Sequence, residues 1–129
     1  MNIELLDALT KCETDIEGAL RRFCGNEALY TQCLDSFLQD QTMTTLETAL
    51  AAQNWDDAFT AAHALKGLAG NMGFVPLFHA VAELVILIRT GRVGEIRSAN
   101  GRVKRCYTEI VNVIARNQQR VLSVKGELL

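Results

Sequence analysis

His63 lies in the run Ala62-His63-Ala64-Leu65-Lys66-Gly67-Leu68-Ala69-Gly70-Asn71-Met72-Gly73, whose helical spacing sets an imidazole, an ammonium group and two glycines along one face. At roughly 100° per residue, Phe59, Lys66, Gly67 and Gly70 fall within about 60° of His63, whereas Ala58, Ala61, Leu65, Leu68, Ala69 and Met72 form an apolar stripe between about 140° and 240°. The imidazole therefore points away from the core. An isolated helical histidine is more often an ordinary surface residue than a nucleophile, and the glycines are what set this one apart. Each costs about 1 kcal/mol relative to alanine in a helix interior. Gly67 and Gly70 lie outside the apolar stripe, so a surface left bare beside the ring lets another protein's backbone come close to it. Lys66, one turn along, is placed to hold an anion there, which favours transfer of a dianionic phosphoryl group. Gly73 reads as the residue that ends the helix.

The elements that must position this face are all helical. Ile3, Leu6 and Leu9 with Leu5 predict a short N-terminal helix, and Thr14 or Asp15 can cap a second one through Phe23, which Gly25 ends. No glycine or proline occurs between Asn26 and Asn54, and Tyr30, Cys33, Leu34, Phe37, Leu38, Leu46, Ala49 and Leu50 recur at helical spacing, so one long helix is expected there. Asn54 caps the next helix, with Trp55 as its start and Asp56 and Asp57 in the first turn, where the helix dipole favours carboxylates. These aspartates precede His63 by about 9 to 10 Å along the axis, too far to act on it. After Gly73 a further helix begins at Val75 with Pro76 in its first turn, striped by Leu77, Ala80, Val81, Leu84, Leu87 and Ile88, and Gly91 and Gly94 break it. Ile96, Ala99, Val103, Cys106, Ile110 and Val113 mark a last helix that frays after about Arg120. The fold class is all-α: an antiparallel up-down four-helix bundle over residues 26 to about 120, preceded by short helices within 2–24, as one domain spanning 1–129.

The motif itself carries a resemblance. His63-x-Leu65-Lys66-Gly67, with Gly73 ten residues after the histidine, resembles the signature of histidine-containing phosphotransfer (HPt) domains. Asp15-Ile16-Glu17-Gly18-Ala19-Leu20-Arg21-Arg22-Phe23, Gly25-Asn26-Glu27, Tyr30, Phe37-Leu38 and Asn54-Trp55-Asp56 are similar to the family's lead-in, so the likeness spans about residues 13 to 91. It implies that His63 accepts a phosphoryl group from the phospho-aspartate of a receiver domain and passes it to another receiver. Lys66 would steady the group, and Gly67 would give the receiver room. Gly70 and Phe59 would border the same partner-binding face, Gly70 and Gly73 also serving helix packing or the turn. No cofactor is implied for this chain, and the Mg²⁺ would sit on the receiver. Response-regulator receivers and a hybrid sensor histidine kinase are the implied partner classes. One position departs from the family pattern: many members carry a glutamine or glutamate twenty-two residues after the histidine, where it orients the ring, and here that residue is Val85. Water, Glu83 or a backbone group are the substitutes left open. His79 lacks a lysine-glycine setting and reads as a surface residue.

Composition limits the other classes. With 129 residues, one proline and 49% hydrophobic side chains, the chain has enough material for one helical core. No charged start precedes an apolar stretch, and the longest apolar run, Leu84 to Ile88, is too short to span a bilayer, so a cytoplasmic, non-membrane monomer is expected. Cys12, Cys24, Cys33 and Cys106 lack metal-site spacing and are expected as free thiols. The net charge of −2 conceals an asymmetry: residues 1–60 carry 11 acidic and 3 basic side chains, and residues 61–129 carry 4 and 10. Arg89, Arg92, Arg97, Arg102, Lys104 and Arg105 lack the interleaved aromatics of a nucleic-acid surface, and no nucleic-acid partner is expected. Positive charge near His63 would instead steer an acidic receiver pocket. No nucleotide-binding loop or paired acid and base is visible, so the chain should not phosphorylate itself. The readings in competition are a non-catalytic interaction module with the same fold, and a histidine domain charged directly by a kinase catalytic domain.

Overall fold

A computed structural model describes the backbone of residues 1–128 and the side chains of residues 1–117. The described residues form seven helices: α1 (Ile3–Lys11), α2 (Ile16–Arg22), α3 (Glu27–Gln39), α4 (Thr42–Ala51), α5 (Trp55–Met72), α6 (Val75–Arg89) and α7 (Val93–Leu128). The starts follow side-chain chemistry. Asn2, Asp15, Asn26 and Asn54 each accept a hydrogen bond from a backbone N–H of the first turn they precede. Asp15 is thus the cap of α2, where Thr14 was the alternative. α6 has no side-chain cap and carries Pro76 in its first turn instead.

The junctions explain one correction. Five of the six connections contain a left-handed residue: Glu13, the pair Cys24 and Gly25, Gln53, Gly73 and Gly91. The sixth, between α3 and α4, contains none, and it falls inside the single helix expected over 26–54. Asp40 turns extended there, with φ −70° and ψ 136°, and its carboxylate accepts the N–H of Thr42 at 2.8 Å. An aspartate that caps the backbone two residues on competes with helix continuation, and Thr42, Thr44 and Thr45 are weak helix formers beyond it. A second correction concerns Gly94, which lies in the first turn of α7 rather than in a break. In α1 the buried pair is Leu5 and Leu9, while Ile3 is 80% exposed.

α5 packs against α4 on one side and α6 on the other, α6 packs against α7, and α3 closes the ring by touching both α7 and α5. From α4 to α7 each helix contacts the next, which makes this an up-down helical bundle. α1 lies on α7 and α2 on α5. The core face of α5 is built largely from small residues, Ala58, Ala61, Ala62 and Ala69 around Leu65, all buried, while Leu68 is only half-buried. Small side chains let α4 and α6 pack close to α5, whose opposite face, with His63 and Gly67, stays exposed. The described part of the core is completed by residues such as Leu34, Leu46, Leu77, Leu84, Val103 and Ile114. The fraying expected after about Arg120 is not found in the backbone, because α7 continues as helix to Leu128.

Candidate functional site

Helix α5 is held at both ends, and this decides how firmly its outer face is presented. At the N-terminus the Asn54 side chain accepts the Asp57 N–H at 3.2 Å and donates to the Asp57 carboxylate at 2.7 Å, so Asp57 has a capping role. At the C-terminus three carbonyls that a helix leaves unpaired are taken up from outside it. Arg22 Nε donates to the Asn71 carbonyl at 3.1 Å, the buried Tyr30 hydroxyl to the Met72 carbonyl at 2.8 Å, and the Asp15 N–H to the Gly73 carbonyl at 2.8 Å. Gly73 then turns the chain at φ 78°.

On the outer face His63 is exposed. Its ring stacks parallel to that of Phe59, centroids 6.1 Å apart and planes 9° off parallel. Lys66 leans the other way, with Nζ 5.7 Å from the centroid of Phe78 on α6, a cation–π distance. Phe78 is a site neighbour that the sequence marks only as an apolar residue early in α6. It packs over Gly70, where an added Cβ would lie in van der Waals contact with the Phe78 ring at 3.4 Å. Gly67 differs. It is exposed, and a Cβ there would meet nothing within 4 Å. The structure therefore brings Phe59, His63, Lys66 and Gly67 to one surface and sets Gly70 half-buried beneath Phe78.

Val85 is buried in the α6 core face, so no polar group reaches the ring from that position. Glu83 is committed elsewhere, its carboxylate accepting from Arg102 at 2.7 Å. The stack on Phe59 is the interaction the described residues give the His63 ring. Beside this face, between α4 and α5, runs a groove of ≈ 690 Å³ with Thr45, Thr48, Thr60 and Ala64 on its walls. Of the six basic residues between Arg89 and Arg105, Arg92 pairs with Glu95, Arg102 with Glu83 and Lys104 with Glu47, which leaves Arg89, Arg97 and Arg105 without an ion pair among the described residues. His79 is exposed and edge-on to Phe78. The four cysteines are free thiols. Burial and the Glu109 carboxylate push the Cys12 thiol up to about 11, which opposes its ionisation. Among the described residues no cluster of three or more His, Cys, Asp or Glu could hold a metal, and no helix is long and apolar enough to cross a membrane.

The crystal structure of histidine-containing phosphotransfer protein B from Pseudomonas aeruginosa PAO1 superposes with a TM-score of 0.73 at 25% identity, covering 83% of this chain and 95% of that one. A comparison with curated proteins finds no match. The family model described as the Hpt domain matches residues 29–115, which include α5 and the whole of the face just described. The chain belongs to the Hpt domain family, whose role is histidine phosphotransfer in phosphorelays.

Proposed function

We propose that this chain is a relay intermediate that accepts a phosphoryl group on His63 from the phospho-aspartate of a receiver domain and passes it to a second receiver. The observation that carries the reading is Gly67. Helical side chains lean toward the N-terminus and cover the turn before them, so any side chain at position 67 would lie back across His63. A glycine there keeps the ring open on the side away from Phe59, and nothing in the chain within 4 Å requires it. The reason lies in what approaches from outside.

The chemistry balances between the two proteins. A ring nitrogen of His63 attacks the phosphorus of the acyl phosphate in line, the new N–P bond forms as the O–P bond breaks, and the receiver's aspartate leaves as a carboxylate. The receiver supplies the Mg²⁺ that neutralises the phosphoryl oxygens. Lys66, held against Phe78, supplies positive charge from this side. Gly67 and Phe59 border the partner-binding face, with Gly70 at its edge beneath Phe78. Return transfer uses the same face in reverse.

The test is transfer from a panel of receivers charged with a small phosphodonor. Acid-labile, base-stable label is expected on the wild type and none on His63→Gln, which should keep its helicity. Gly67→Gln should fold and take up label at least tenfold more slowly. No label from any receiver, with folding confirmed, would leave the histidine domain charged directly by a kinase catalytic domain, or the non-catalytic module. The latter is favoured by one observation, the absence of a polar partner for the ring at Val85.

A further inference from the structure

We propose that Phe59 is the positioning residue of the His63 ring, doing by stacking what a hydrogen-bonding side chain would otherwise do. This rests on the reading of His63 as the phosphoryl acceptor. The outer torsion of a histidine is broad and roughly two-fold, so an exposed imidazole without a partner swings through a wide arc. Here two polar routes to the ring are missing: Val85 is apolar and buried, and the Glu83 carboxylate accepts from Arg102. What the ring does have is a parallel neighbour at 6.1 Å, within the range of offset aromatic stacking.

Phe59 can act as a fixed reference because it is half-buried and packs against the core. It lies one turn N-terminal to His63 on the same helix, where the lean of helical side chains brings the imidazole down upon it. A ring anchored below, Gly67 bare above and Lys66 drawn aside to Phe78 leave the imidazole one supported face and one open edge. The stack sets the plane of the ring. It does not choose which nitrogen carries the proton, and in this it differs from a hydrogen-bonded design.

The full chain is compared with Phe59→Leu, which keeps an apolar side chain but no ring, and with Phe59→Tyr, which keeps the ring. The carbon-bound ring protons of His63 are read by NMR with no phosphodonor present. Transfer from a charged receiver is measured in single turnover over a range of receiver concentrations. In the wild type and Phe59→Tyr the ring protons should carry an aromatic ring-current displacement, which Phe59→Leu should lose. The maximal transfer rate of Phe59→Leu should fall by about two- to tenfold, the range an aromatic pair contributes, whatever the change in the half-saturating receiver concentration, since Phe59 also borders the partner-binding face. Phe59→Tyr should restore it. An unchanged maximal rate in Phe59→Leu, a change confined to the half-saturating concentration, or ring-proton shifts equal to wild type would each overturn the proposal. Failure of the relay reading itself would show separately, as wild type without label, and the ring-proton shifts would still decide whether Phe59 holds the ring.

Discussion

The middle and the C-terminal end of α5 both carry glycines, for opposite reasons. At the end, Gly73 is glycine because the protein's own atoms leave no room, and Gly70 lies against the Phe78 ring. A Cβ at Gly70 would touch the Phe78 ring, and one at Gly73 would come within 2.5 Å of the Asp15 carbonyl oxygen while the backbone sits at φ 78°. In the middle, Gly67 faces open space. The end of the helix is where the fold is fastened, by Arg22, Tyr30 and Asp15. The middle is where it is left unfinished, with an imidazole, a lysine and a gap. A glycine explained from within speaks of packing, whereas one that nothing within explains speaks of a partner.

The comparison is most strongly tested at its fastened end. Gly73→Ala must strain the left-handed backbone and push Asp15 away, and these together should cost about 2 to 4 kcal/mol of stability. Denaturant unfolding would read this as a lower midpoint at unchanged slope, while the molecules that remain folded should still take up label at His63. A tolerated alanine would mean that the Asp15–Gly73 contact is loose and that the end of α5 is not the fastening point.

Tyr30→Phe is the next test, because it leaves the Met72 carbonyl buried without its donor. The expected loss is about 1 to 3 kcal/mol. The same substitution has a pH signature. Burial pushes the Tyr30 phenol above its ordinary value, with Arg22 opposing and Asp15 adding to the shift. The native state thus holds this proton more tightly than the unfolded chain. The contribution is present in full below the ordinary tyrosine value of about 10 and is lost as pH rises beyond it. Above that point the wild type should lose stability with pH more steeply than Tyr30→Phe. Cys12, raised to about 11, adds an alkaline loss common to both proteins. Parallel stability curves above pH 10 would remove Tyr30 from the clamp.

What could be read in advance divides along the same line. The starts of α2 and α5 were legible because aspartate and asparagine caps are local chemistry, and Gly25, Gly73 and Gly91 marked three of the ends as left-handed turns. The α3–α4 break was not legible, since Asp40 turns the chain with no glycine, proline or left-handed residue. The one local sign was an aspartate two residues ahead of a threonine-rich stretch, and such a residue sits as readily on a helix surface. At the site, helical spacing placed His63, Lys66, Gly67, Gly70 and Phe59 on one face. It did not reveal Phe78, because a contact between α5 and α6 depends on how two helices meet. Nor could spacing separate Gly67 from Gly70, as both lie outside the apolar stripe and only the neighbouring helix tells them apart.

Gly67→Ala is the smallest change and the most discriminating. Alanine removes the entropic cost of a helix-interior glycine, about 0.5 to 1 kcal/mol, and its Cβ enters open space, so the folded protein should become more stable and melt a few degrees higher. The same methyl group stands on the open side of His63, so phosphoryl transfer from a receiver should slow several-fold. Gain of stability with loss of transfer is the combination that an external reason for the glycine requires, because packing within the chain would have turned the stability change negative. A Gly67→Ala protein that melted higher and still accepted phosphoryl at the wild-type rate would show that the gap serves neither fold nor partner. The contrast between the two halves of α5 would then rest on the fastened end alone.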